Sequence, residues 1–116
     1  MVEYSELGFD PIKLSYEQEK LGLEYADSDT AFEILKRTEK TLISELTRKY
    51  MRVDYKNITE LNSYIHTDER FRGFEKLFSS VLKRRNRNKV RYETFKAFRD
   101  DLRTKTVTER ELAKHL

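Results

Sequence analysis

Six of the nine residues from Lys83 to Arg91 are basic: Lys83, Arg84, Arg85, Arg87, Lys89 and Arg91. Side chains of this type supply charge-assisted donors to phosphate oxygens, and they serve equally well against an acidic protein surface. Tyr92 follows at once and offers a ring on which an exposed base can stack, although its place in the apolar spacing also fits a core or interface residue. The seven residues Lys83, Arg84, Arg85, Arg87, Lys89, Arg91 and Tyr92 are the candidate nucleic-acid-binding set. No compact three-helix arrangement with a short turn is evident, so the expected contact is to the backbone, non-specific and salt-sensitive.

The remaining chemistry-bearing residues form no constellation. The two histidines, His66 and His115, have no metal-site neighbourhood, and there is no cysteine. Asp100 and Asp101 are adjacent, so a helix points them in different directions and a solvated pair is expected. There is neither a glycine-rich phosphate loop nor a nucleophile motif. The sequence therefore predicts no catalytic residue, no metal, no cofactor and no enzyme activity.

Charge is distributed unevenly. Residues 1–33 carry nine Asp and Glu against two Lys, a formal −7, whereas residues 34–116 carry 22 Lys and Arg against 12 Asp and Glu, a formal +10. The acidic part of one chain can therefore meet the basic run of another, which makes a structural or adaptor oligomer, or an acidic protein partner, the alternative to nucleic acid.

The elements that must carry these residues read as helices. Charged residues make up 39 % of the 116 and apolar ones 37 %, with three glycines and one proline. From Leu14 apolar residues recur in steps that fit one helix face: Leu14, Leu21, Tyr25, Phe32, Leu35, Leu42, Leu46, Val53, with Gln18, Ser28, Glu39 and Lys49 at the polar gaps. Ser15 with Gln18 forms a capping-box pattern. The Asp27–Thr30 cluster leaves open one long helix, or a short one to about Tyr25 and a longer one from about Asp29, reaching roughly residue 56. Residues 57–66 read either as continuation or as a separate short helix, and Thr67 or Asp68 can cap the next. A third segment repeats the spacing through Phe71, Phe74, Phe78, Val81, Arg85, Asn88, Tyr92, Phe95, Arg99 and Leu102, with the apolar stripe interrupted at the basic run.

Before these, residues 1–14 read as an arm bearing Tyr4, Leu7, Phe9 and Ile12. After them, the β-branched Thr104–Thr108 stretch predicts a break, and Thr108 with Glu111 a capping box for a short terminal helix over 109–116, docked by Leu112 and Leu116. The expected fold is all-α in a single domain 1–116. It is an elongated antiparallel long-helix hairpin with short N-terminal and C-terminal helical segments. Seven Tyr and seven Phe exceed what a thin helical protein buries alone, so a homo-oligomer of coiled-coil character is expected. There is no signal peptide and no long apolar run, so the expectation is a cytoplasmic protein with no membrane contact.

The segment Asp10-Pro11-Ile12-Lys13-Leu14-Ser15-Tyr16-Glu17 is similar to the early part of the T-even phage recombination mediator family. The likeness covers a small part of the chain; Lys83–Arg91 and the Leu102–Leu116 tail depart from that family. The resemblance implies a viral protein of the host cytoplasm that forms ring-like oligomers and binds single-stranded DNA. It further implies a role in DNA recombination, helping to load a recombinase onto DNA covered by single-strand-binding protein, with Lys13 in an N-terminal DNA-contacting region.

Overall fold

A computed structural model describes residues 8–115, and all its regular elements are helices. Tyr4, Leu7 and Leu116, assigned above to the arm and the terminal helix, lie outside the described residues. The first helix, α1, runs Pro11–Tyr50. Its start follows from local chemistry. Gly8 takes a positive φ of 85°, Pro11 supplies a pre-set φ at the first helical position, and the Asp10 carboxylate accepts from Ile12 N at 2.9 Å. Ser15 is therefore not the cap. It lies one turn inside the helix, and its hydroxyl accepts from Arg99 Nη2 at 3.4 Å.

Of the two alternatives at Asp27–Thr30, the single helix is found. Ser28 is fully buried and Asp29 accepts from Arg85 of α3, so burial and a tertiary contact hold this polar stretch in the helix. The helix ends at Tyr50, short of residue 56, with Val53 N donating to Tyr50 O in the turn that follows. Val53, the last member of the expected apolar series, is consequently exposed.

The ambiguous stretch is a separate helix, α2, Ile58–Thr67, capped by Asn57, whose side chain accepts from Glu60 N at 2.9 Å. A single extended residue, Asp68, joins it to α3, Glu69–Lys114. Asp68 N donates to Ile65 O to close α2, while Asp68 Oδ1 accepts from Arg70 N at 2.8 Å to open α3.

The break expected at Thr104–Thr108 does not occur: α3 continues through it to Lys114, and no separate helix opens after Thr108. Thr104 and Thr106 donate their hydroxyls to the carbonyls of Asp100 and Leu102, at 3.0 and 2.9 Å. That bonding satisfies the polar groups against the preceding turn. Burial of Leu102 and Thr106 then outweighs the weak helix preference of β-branched residues.

The chain divides into two compact units, one of residues 28–85 and the other of the chain before and after it. In the 28–85 unit, Leu42 and Leu46 of α1, Leu61 and Ile65 of α2 and Phe71 of α3 form the buried core, with Tyr50, Tyr55 and Phe74 packed against it. Glu45 meets Arg70, Phe32 meets Phe78 and Asp29 meets Arg85, so α1 and α3 run antiparallel within this unit.

In the other unit Leu14, Leu102 and Thr106 are buried. Phe9 packs edge-on to Phe98 with centroids 5.4 Å apart, and Tyr25 lies 6.3 Å from Tyr92. Gln18 accepts from Arg99 Nη1 at 2.6 Å and the Glu24 carbonyl from Asn88 Nδ2 at 3.2 Å, which fixes an antiparallel pairing there too.

Candidate nucleic-acid interface

An α-helix advances about 3.6 residues per turn, so a run of nine residues must point in every direction around α3. The basic run is sorted accordingly. Arg85, Asn88 and Tyr92 fall on the stripe that faces α1. Arg85 Nε donates to Asp29 Oδ1 at 2.6 Å, and its guanidinium carbon stands 4.8 Å from the centre of the Phe32 ring. Tyr92 is half-buried and packs against the backbone at Gly22, where an added Cβ would lie 3.3 Å from Tyr92 Cε2. The interruption of the apolar stripe is thus filled by polar side chains with specific partners on α1.

Lys83, Arg84, Arg87 and Arg91 are exposed, and Lys89 is half-buried. Arg87 and Arg91 follow one another at four residues, the spacing of one helix face. Among the described residues no ion pair joins Lys83, Arg84, Arg87 or Arg91 to a carboxylate. Of the seven residues picked out by sequence, four are therefore solvent-facing, Lys83 and Arg84 in the 28–85 unit and Arg87 and Arg91 in the other, while Arg85 and Tyr92 are held against α1. Val90, 61 % exposed, lies among the cations as an apolar contact point.

The strongest electrostatic perturbation lies elsewhere, at the α2–α3 joint. Asp68 Oδ2 accepts from Tyr50 Oη at 2.5 Å and from Lys49 Nζ at 3.0 Å. Those two donors, with the backbone N–H of Arg70, hold its carboxyl at about 2. The same contact raises the pKa of Tyr50 and of Lys49. A carboxylate saturated by three donors holds a joint together and is poorly placed to move protons. His66 is likewise engaged locally, with Nδ1 2.7 Å from Asn62 O and its ring edge-on to Phe71.

Among the described residues no group of three or more His, Asp or Glu side chains is placed to hold a metal ion. No helix among them is long and apolar enough to cross a membrane. Arg72 and Lys76, outside the seven residues picked out above, are also exposed on α3 ahead of the basic run. The available signal was helical spacing back from Lys83, not charge density, since acidic and apolar residues intervene. No family model matches the chain, and no curated protein or solved structure matches it either.

Proposed function

We propose that this chain is a non-enzymatic nucleic-acid-binding protein, with single-stranded DNA favoured, that contacts phosphates through the solvent-facing cations of α3. The observation that carries the reading is the exposure of Lys83, Arg84, Arg87 and Arg91 with no carboxylate paired to them among the described residues. Like charges at three- and four-residue spacing repel one another, and a polyanion relieves that repulsion. Arg85 serves as an anchor to α1, Lys89 as a flanking charge, and Tyr92 as packing. The scaffold in this reading is the hairpin of long helices. The resemblance to the T-even mediator family extends it to a recombination accessory that acts as a homo-oligomer.

The test is binding of a labelled single-stranded oligonucleotide across a salt series, with complex mass followed by light scattering. Tight binding at low salt that weakens steeply as salt rises is expected; absence of binding at low salt ends the proposal.

A second reading, a structural or adaptor oligomer, is favoured by Ile12, Tyr16 and Leu23 of α1. They are 79 %, 70 % and 58 % exposed and recur at four and seven residues. The variant Arg84→Glu/Arg87→Glu/Arg91→Glu separates the two. Nucleic-acid binding predicts an unchanged assembly that no longer holds the oligonucleotide, whereas the structural reading predicts a changed assembly mass.

A further inference from the structure

Arg72, Lys76, Ser79, Ser80 and Lys83 are all exposed on α3 within the 28–85 unit. With Glu75 they line an open depression of about 600 Å³ whose walls come from this one helix. Passing from Arg72 to Lys76, to the serine pair and to Lys83, each step covers three or four residues. Each donor therefore stands about 4.5–6 Å beyond the last along the helix axis. The result is a straight row of guanidinium, ammonium, hydroxyl and ammonium donors, one at each turn.

The shape and charge of the row select its ligand. A compact anion needs donors that converge on it from several directions, and a depression walled by one helix supplies none of that convergence. A polymer with a negative charge at every repeat matches a linear row of donors spaced at a similar interval. Among the described residues neither Arg72, Lys76 nor Lys83 is paired with a carboxylate. Glu75 is the one acid in the lining, and it also borders Phe71, Phe74 and Phe78 beside Glu39. It stands three residues from Arg72 and offsets part of one charge, leaving the row net positive.

We propose that this face binds successive phosphates of a single strand, extending the contact residues from Lys83 back to Arg72 and adding Ser79 and Ser80 as neutral donors to phosphate oxygens. The inference rests on the nucleic-acid reading above and deepens it. A single row on one helix follows one backbone; a duplex groove presents two, and would call for cations on both flanks.

The test measures anisotropy of a labelled oligothymidylate against salt for the wild-type chain and for Arg72→Ala/Lys76→Ala, which leaves residues 83–91 untouched. Both substituted side chains are exposed, and circular dichroism checks that helix content is retained. The expected result is affinity lower by about tenfold at low salt and a log–log salt slope shallower by roughly 1.4, for two lost contacts to a single strand. Arg72→Lys/Lys76→Arg keeps both charges and is expected to bind as the wild type does.

Wild-type affinity and slope in the double-alanine variant overturn the inference, while Arg84→Glu/Arg87→Glu/Arg91→Glu in the same assay reports separately on the parent reading. A loss seen only with duplex probes overturns the single-strand assignment. A changed assembly mass with unchanged oligothymidylate binding overturns it in favour of a protein partner. If the wild-type chain binds no oligonucleotide, the parent reading fails and this inference falls with it.

Discussion

Arg85 reaches across from α3 to α1 and donates to Asp29 at 2.6 Å, with its guanidinium laid over the Phe32 ring. Two residues further on, Arg87 is exposed. The same side-chain chemistry in one basic run therefore meets two different surroundings, set by direction around the helix.

Arg85→Ala is expected to lower stability by about 1–2 kcal/mol. It removes a charge-assisted hydrogen bond and a cation–π contact, both moderated by the 25 % and 40 % side-chain exposure of the pair. Its effect on oligonucleotide affinity should be small. Arg87→Ala should behave in the opposite way, with stability within about 0.5 kcal/mol of wild type and weaker binding at low salt. Urea unfolding and anisotropy on both variants check the assignment.

The two differ in how legible they were. Charge density marked the whole run, and the apolar series through Phe71, Phe74, Phe78, Tyr92 and Leu102 identified the face that packs. Charge alone could not reveal that Arg85 and Asn88, at the gap in that series, bind Asp29 and the Glu24 carbonyl, because the partners lie more than fifty residues away. Two of the polar gaps in the α1 series are also filled by partners distant in sequence: Gln18 accepts from Arg99 of α3, and Lys49 donates to Asp68 just before it. Local propensity misled at Thr104–Thr108 and at Ser15. In both places the backbone had a second option that tertiary burial, or an earlier cap at Asp10, made better.

Gly73 and Gly22 both sit inside helices but in different surroundings. A Cβ at Gly73 meets nothing within 4 Å, so Gly73→Ala should gain the helix-propensity difference, about 0.5–1 kcal/mol. A Cβ at Gly22 would lie 3.3 Å from the Tyr92 ring, which must give way by a few tenths of an ångström. Gly22→Ala should therefore gain less than Gly73→Ala, and most of the difference should vanish in a Tyr92→Ala background. Thermal unfolding of the four variants decides it; equal gains at the two glycines would show that Tyr92 does not crowd that position.

Leu46 has no exposed surface and sits among Leu42, Leu61, Ile65 and Phe71. Leu46→Ala is expected to cost about 3 kcal/mol through lost burial and the cavity left behind. Leu23→Ala, at a site 58 % exposed, should cost less than about 0.5 kcal/mol in unfolding experiments.

Asp68 ties acid stability to the α2–α3 joint. Its carboxyl is held at about 2, against an ordinary value of 3.8, first by the Tyr50 hydroxyl and then by Lys49 and the Arg70 backbone. Because the folded value is the lower, the unfolded chain takes up the proton first as pH falls. The stabilisation is whole above the ordinary value and drains away between about pH 4 and pH 2. Tyr50→Phe removes the leading donor, so Asp68 should titrate closer to its ordinary value and contribute less to stability at neutral pH. Asp68→Asn keeps a side-chain oxygen for Arg70 N but carries no charge for Lys49. Its stability should be lower near neutrality and flatter than wild type across the acid range. Asp68→Ala also loses the cap, worth about 1 kcal/mol by itself. Urea midpoints measured from neutral pH down to about pH 2 for these variants provide the check, and an Asp68→Asn curve parallel to wild type through that window would assign the acid transition to other carboxylates.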